Sequence, residues 1–168
     1  LDSEVAYERR RTGAIELAVV TLAPGNVTHL RSEALWVDSL RVMVATDHEL
    51  AQARSITLEA LARYPAVLPG LETFTGQIVR RHFNTAGLPL ELRLATNYLE
   101  TLRMMASVGL GWTVLPEFMA GDRMHCLDVA ETALSRTLGL VTHRERSISR
   151  GARAFVGLLR EAGARDRP

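Results

Sequence analysis

Hydrophobic and polar positions along the chain follow two alternating periods. Short apolar runs rich in β-branched residues predict buried strands, and apolar residues three or four positions apart predict helices that pack on them. The predicted strands cover residues 15–21, 30–36, 40–46, 66–68, 92–95, 112–115, 124–129 and 137–142, with a break near Asp38 and Ser39. The predicted helices cover residues 2–12, 57–63, 73–87, 96–109 and a last stretch that begins at 147 or 149 and frays from 162 to 168.

Small polar residues at the predicted helix starts support this assignment, because their side-chain oxygens accept bonds from the first backbone N–H groups of a helix. The candidate caps are Asp2 or Ser3, Thr57, Thr73 or Thr75, Thr96 or Asn97, and Ser147 or Ser149. Since strands alternate with helices, the predicted class is α/β with largely parallel sheets. The strands are too many for one small sheet in so short a chain, which favours two subdomains with crossing strands.

The composition is that of an ordinary globular domain. The chain has 168 residues, of which 47% are hydrophobic and 23% charged, and no apolar run reaches the roughly 18 residues that span a bilayer. The formal net charge is +1, and all 20 basic residues are arginine. A balance this even argues against a dedicated nucleic-acid module, which carries a concentrated basic excess.

The reactive residue types that most enzymes or metal sites need are scarce. The absence of lysine excludes a Schiff-base or P-loop lysine. The single cysteine, Cys126, excludes an internal disulfide and a multi-thiolate metal site, and it suits a reducing, cytoplasmic compartment. The histidines show no spacing typical of metal ligands. No cofactor, no metal and no catalytic residue is therefore predicted.

Polar residues recur where predicted strands lead into helices. Thr21 follows one strand, the run from Thr73 to Gly76 precedes one helix, and the run from Thr96 to Tyr98 precedes another. Ligands of α/β sheets bind beyond the carboxyl ends of the strands, where helix N-termini favour anions. A plain capping role explains each position alone, but their recurrence favours one shared ligand cleft. None of them forms an activated nucleophile or an acid–base pair, so the cleft is predicted to bind and not to react.

Several segments resemble the effector-binding domain of LysR-type transcriptional regulators. Residues 97–116, NYLETLRMMASVGLGWTVLP, are similar to the family pattern "e.l..lVaaGlGia.lP". Residues 36–51 resemble its hinge-strand segment, with Glu49 where proline is usual. Further likenesses lie in residues 13–20, 56–67, 83–89 and 147–159, in the order that the family has them.

The resemblance implies a type II periplasmic-binding-protein fold, in which two Rossmann-like subdomains joined by two crossing strands flank an effector cleft. Residues 1–45 and 138–168 are then the first subdomain and residues 46–137 the second. The family's winged helix-turn-helix and the opening strand–helix–strand of the first subdomain have no counterpart here. The chain also begins at Leu1, so a fragment or a processed start with an incomplete first subdomain is expected.

The resemblance further implies a small-molecule effector, often a carboxylate or other anion, and self-association of the regulator as a dimer or tetramer. Operator DNA would be bound only through the helix-turn-helix, and no membrane is involved. The candidate effector-binding residues are Thr21, Gly70, Thr73, Phe74, Thr75, Asn97 and Tyr98.

Two other classes of protein stay open at this stage. One is an extracytoplasmic solute-binding domain of a transport system, since the fold is shared. The other is an enzyme on the same fold, which the scarcity of reactive residues disfavours.

Overall fold

The computed structural model describes residues 3–25, 27–130 and 132–165. The helices are α1 (Ser3–Thr12), α2 (Leu58–Leu61), α3 (Phe74–Thr85), α4 (Leu99–Ser107) and α5 (Arg150–Arg165). The strands are β1 (Leu17–Thr21), β2 (Leu30–Ala45), β3 (Ala66–Leu68), β4 (Leu92–Ala95), β5 (Thr113–Pro116), β6 (Met124–Leu127) and β7 (Leu134–His143). Single 3-10 turns cover Glu49–Gln52 and Glu117–Met119.

The chain divides into two compact units. Unit 1 combines the chain up to Asp38 with the chain from Arg136 onward, and unit 2 is the continuous segment Ser39–Ser135. The chain therefore leaves unit 1 within β2 and returns to it within β7.

Unit 1 is built on β1, β7 and the first half of β2, with β7 lying between the other two strands. β1 and β7 are antiparallel, so that Leu17 is opposite Thr142 and Thr21 is opposite Leu138. Leu35, Leu140 and Val156 form its buried apolar cluster, to which α5 contributes the valine. Ser149 starts α5, because its hydroxyl accepts a hydrogen bond from the N–H of Ala152 at 3.1 Å.

Unit 2 contains the larger apolar core. β3 and β4 pair in parallel, and β5 and β6 run antiparallel to the second half of β2. Trp112 is buried with its ring stacked on that of Phe83 at 5.6 Å between centroids. The indole N–H donates to the carbonyl of Tyr64 at 2.9 Å, which satisfies the polar atom of the ring.

Two sequence predictions about the strands are wrong. β2 runs unbroken through Asp38 and Ser39, because the Asp38 carboxylate accepts a 2.8 Å hydrogen bond from Nε of Arg136 on β7. The ion pair neutralises the carboxylate of Asp38, the charged residue that led the sequence analysis to place a break in the strand. The sheets are also not largely parallel, since β1 with β7 and β2 with β5 and β6 are antiparallel pairs.

The predicted helices lie where expected, with differences at their ends. α4 begins after Tyr98, and neither Thr96 nor Asn97 is its N-cap. α5 continues through Arg165, so the predicted fraying does not occur over 162–165, and residues 166–168 lie outside the described part of the chain. Asp2, a candidate cap of α1, also lies outside it. Among the described residues, no helix is long and apolar enough to cross a membrane.

Candidate functional site

Six of the seven candidate residues lie in unit 2, in the loops and helix starts that follow β3 and β4. Because these strands are parallel, Leu68 and Ala95 finish at the same edge of the sheet. The loop after β3 leads into α3, and the loop after β4 leads into α4. The N–H of Gly70 donates to Oδ1 of Asn97 at 3.1 Å, which joins the two loops directly. The sequence predicted that these positions lie near each other but not this bond.

Thr73 holds the start of α3. Its hydroxyl accepts from the N–H of Gly76 at 3.0 Å and donates to the carbonyl of Gly70 at 2.7 Å. The side chain is buried, so both bonds are shielded from water. Thr73 is therefore the N-cap that the sequence predicted, and its hydroxyl also fixes the turn that carries Gly70.

Gly76 is a residue that sequence reasoning did not single out for the site. A Cβ at this position would overlap the carbonyl oxygen of Gly70, so the first turn of α3 can approach the preceding loop only with glycine here. The signal in the sequence is a glycine within the first helical turn, where it is a poor helix former. Gly76 thus sets the geometry of the loop between β3 and α3.

The two helix starts differ in charge. The first turn of α3 contains no acidic residue, whereas the first turn of α4 contains Glu100. A helix N-terminus carries a partial positive charge, which an acidic side chain in the first turn offsets. The start of α3 is therefore the more favourable position for an anion.

The remaining candidates of unit 2 differ in accessibility. Thr75, the second residue of α3, is 8% exposed and Phe74 is half-buried. Tyr98 is 77% exposed, and its N–H lies 3.4 Å from the Thr96 hydroxyl. Tyr98 offers an aromatic surface to solvent, while Thr75 is held within the start of the helix.

Thr21 belongs to unit 1. It is the last residue of β1 and is buried. Its N–H donates to the hydroxyl of Ser3 at 3.1 Å, which ties the start of α1 to the end of β1. The sequence predicted the place of Thr21 at a strand end but not this partner.

Among the described residues, no three His, Cys, Asp or Glu side chains are placed to hold a metal ion. Cys126 packs at the edge of an apolar cluster, and burial raises the pKa of its thiol. A thiol in such surroundings stays protonated and is a poor nucleophile.

Comparison with known proteins gives a consistent result. The family model of the LysR substrate binding domain matches residues 1–164. A probable nitrogen assimilation transcriptional activator of Synechococcus elongatus is 30% identical over 96% of this chain, and the chain covers 55% of that protein. The chain thus spans about half the length of this curated relative.

Solved structures share the fold at lower identity. One is the regulatory domain of CcmR from Synechocystis in complex with 2-PG. The match covers 96% of this chain and 80% of the CcmR chain, with a TM-score of 0.85 and 20% sequence identity. Another is the effector binding domain of QuiR in complex with shikimate. The match covers the whole of this chain and 81% of the QuiR chain, with a TM-score of 0.89 and 18% sequence identity.

Proposed function

The chain belongs to the LysR substrate-binding domain family, and from that membership we propose that it senses a small molecule on behalf of a DNA-binding transcriptional regulator. Its fold is the type II periplasmic-binding-protein-like fold of LysR effector-binding domains. The family consists of effector-binding domains and not of enzymes. Membership favours this function over a solute-binding domain of a transport system, the alternative that the sequence left open.

The proposed effector is a small anion, such as a carboxylate. The observation that carries this proposal is the start of α3, where a capped helix with no acidic residue in its first turn follows β3. Such a terminus stabilises negative charge by the helix dipole and its N–H groups. The bound 2-PG and shikimate of the two structural neighbours are also small molecules.

In this proposal each candidate residue has a separate role in binding the effector. Thr75 and the neighbouring N–H groups of α3 bind the anionic group, with Gly70 and Asn97 shaping the loop beside it. Phe74 and Tyr98 supply apolar surface for the rest of the molecule. Thr73 acts by holding the loop, and a role for Thr21 of unit 1 stays a prediction from the sequence.

A thermal-shift screen of small carboxylates, followed by titration calorimetry, tests this proposal. The expected result is that at least one carboxylate raises the melting temperature of the wild-type chain and binds more weakly to Thr75→Ala. Thr85→Ala, at the exposed end of the same helix, is the matched control and should bind as the wild type does. A carboxylate that binds Thr75→Ala and the wild type equally would remove the start of α3 from the site.

The properties of the whole regulator are part of the same proposal. We expect a cytoplasmic dimer or tetramer that contacts operator DNA through a part of the protein outside these 168 residues. Light scattering of the full-length regulator over a concentration series measures its assembly, and a monomer at all concentrations would contradict the expected state.

A further inference from the structure

Two arginines and two histidines lie together at the end of unit 1 where β1 begins and β7 ends. Arg10 lies near the end of α1, and His143 ends β7 beside the start of β1. Arg146 follows in the next turn, and His29 immediately precedes β2. Since Thr21 is at the opposite end of β1, this group is separate from the candidate effector residue of the same unit.

Arg10 is the unusual member of the group, because its side chain is buried without a full set of partners. It is 1% exposed, and Nη1 donates to the carbonyl of Ile15 at 3.0 Å. Nε and Nη2 are buried and make no hydrogen bond to any described residue. A buried charged donor without an acceptor is strongly destabilising, so these atoms need an acceptor, and an oxyanion is the strongest acceptor for a guanidinium.

Arg146 adds a second positive charge beside Arg10. Its guanidinium lies over Gly13, in the place that a side chain would take at that position. Burial lowers the pKa of Arg10, the charge of Arg146 lowers it further, and Glu16 opposes them. Glu16 does not supply the acceptor, because Nε and Nη2 of Arg10 make no hydrogen bond to it; its carboxylate oxygens accept from the N–H and hydroxyl of Ser149.

Two histidines lie beside these arginines and add ring nitrogens to the group. The rings of His29 and His143 are nearly parallel, with centroids 6.4 Å apart. Nδ1 of His143 accepts from the N–H of Glu145 at 3.1 Å, which places the proton of the neutral ring on Nε2. His143 is therefore a donor at Nε2 in both of its protonation states.

An open groove lies beside this group, and two of its members, His143 and Arg146, line the groove. It has a volume of about 580 Å³ and is lined by His143 and by five arginines: Arg31, Arg144, Arg146, Arg153 and Arg160. The one carboxylate that lines it, Glu33, is paired with Arg160 at 2.7 Å. The charge of the groove is thus strongly positive, although the whole chain carries only +1.

We propose that Arg10, Arg146, His29 and His143 bind a small dianionic oxyanion of the phosphate class, either free phosphate or a phosphate monoester whose organic part occupies the groove. The exposed Arg146 side chain turns aside to admit the anion and then binds it together with Arg10. Guanidinium groups match the oxygens of a phosphate through pairs of parallel N–H bonds, which explains why two arginines converge here. The proposal is independent of the effector site at α3.

Titration of the chain with inorganic phosphate, at constant ionic strength and followed by ¹H–¹⁵N NMR, tests the proposal. The Nε–H resonance of Arg10 and the amides of residues 13–16 and 143–147 should shift together and saturate. Arg146→Gln, which changes an exposed side chain and should fold normally, is expected to weaken phosphate binding about tenfold or more.

Arg9→Gln is the matched control. It removes one positive charge from the exposed face of the same helix and should change the affinity less than about twofold, the size of a general charge effect. Arg10→Met should abolish saturable phosphate binding. If this variant does not fold, the comparison of Arg146→Gln with Arg9→Gln still tests the proposal. An Arg10 resonance that does not respond to phosphate, or equal losses in the two glutamine variants, would overturn the proposal.

Discussion

Thr113 shows how a single buried polar atom affects stability. The residue lies in β5, is fully buried, and its hydroxyl has no hydrogen-bond partner among the described residues. Replacing a buried, unsatisfied hydroxyl with a methyl group of the same shape removes a desolvation cost. We expect Thr113→Val to raise the free energy of unfolding by about 1 kcal/mol.

Urea denaturation of the two proteins measures this change, with Thr113→Ser as the control. The serine variant keeps the hydroxyl and loses only the methyl group, so it should be less stable than the wild type. A valine variant less stable than the wild type would mean that the hydroxyl has an acceptor after all.

Thr73 and Thr75 are close in sequence but should respond differently to alanine. Thr73→Ala removes the N-cap of α3 and the bond to Gly70, so we expect it to lower the free energy of unfolding by about 1–2 kcal/mol. Thr75→Ala leaves both cap bonds in place and should cost less stability. It should instead weaken binding of an anionic effector by about 1.5–3 kcal/mol, the cost of a lost bond to a charged group.

Chemical denaturation and calorimetry on the same two variants separate these roles. The assignment of Thr75 to the effector contact fails if Thr73→Ala weakens binding as much as Thr75→Ala does while both remain folded.

His143 should make the stability of the chain depend on pH. Burial and the positive charges of Arg146, Arg10 and His29 lower the pKa of this histidine, with Glu145 opposing them. The unfolded chain then binds the proton more readily than the folded chain. The contribution of this histidine to the free energy of unfolding is therefore fully present above the pKa that it has in the unfolded chain, about 6.5. The free energy of unfolding decreases as the pH falls below that value.

Melting temperatures measured between about pH 5.5 and pH 7.5 check this sign, since the interval brackets the unfolded value. His143→Gln should reduce the decrease at low pH, and added phosphate should reduce it in the wild type. A wild-type protein that becomes more stable on acidification through this interval would contradict the assignment.

Single residues also show what the sequence could and could not reveal. The cap at Thr73 was predictable because capping is local, requiring only a hydroxyl three residues before its N–H partner. The bond from Gly70 to Asn97 joins positions 27 residues apart, and the burial of Arg10 depends on elements from both ends of the chain. No pattern of neighbouring residues contains that information.

Among the elements, α3 and α5 provide a contrast in the role of glycine. At Gly76 a Cβ would overlap the carbonyl oxygen of Gly70, whereas at Gly157 in α5 nothing lies within 4 Å of a Cβ. Gly76→Ala should therefore lower the free energy of unfolding by about 1–3 kcal/mol and disturb the start of α3. Gly157→Ala should raise it by about 0.5–1 kcal/mol, because alanine is the better helix former.

Thermal unfolding of both variants gives the sign of each change. The close approach at α3 would be disproved by a Gly76→Ala variant that is as stable as Gly157→Ala.

The elements were largely predictable, and the errors have specific causes. Helical spacing located α3 because this helix buries one apolar stripe, and a continuous apolar run located β3 because all three of its residues are buried. The break predicted at Asp38 failed because its partner, Arg136, lies 98 positions away. The start of α4 was assigned too early because the Asn97 side chain accepts from Gly70 and does not cap its own helix.

On the scale of the whole molecule, the charge distribution limits what these residues do with nucleic acid. The net charge of +1 provides little of the phosphate neutralisation on which non-specific DNA affinity depends. We expect the 168-residue chain to show no sequence-selective operator binding in a gel-shift experiment at physiological salt. Selective binding that survives competition with unrelated DNA would contradict this expectation, and the full-length regulator is the positive control.

The division of the chain into units has a consequence for synthesis on the ribosome. Unit 2 is one uninterrupted segment, so every residue it needs has been made once Ser135 is added. Unit 1 then still lacks most of β7 and all of α5, and its residues up to Asp38 must wait for them through the synthesis of the whole of unit 2 and of the following segment. The nascent chain therefore exposes the apolar face of β1 and of the first half of β2 to the chaperones of the cell until β7 and α5 have been added, and within these 168 residues the unit that is begun first is completed last.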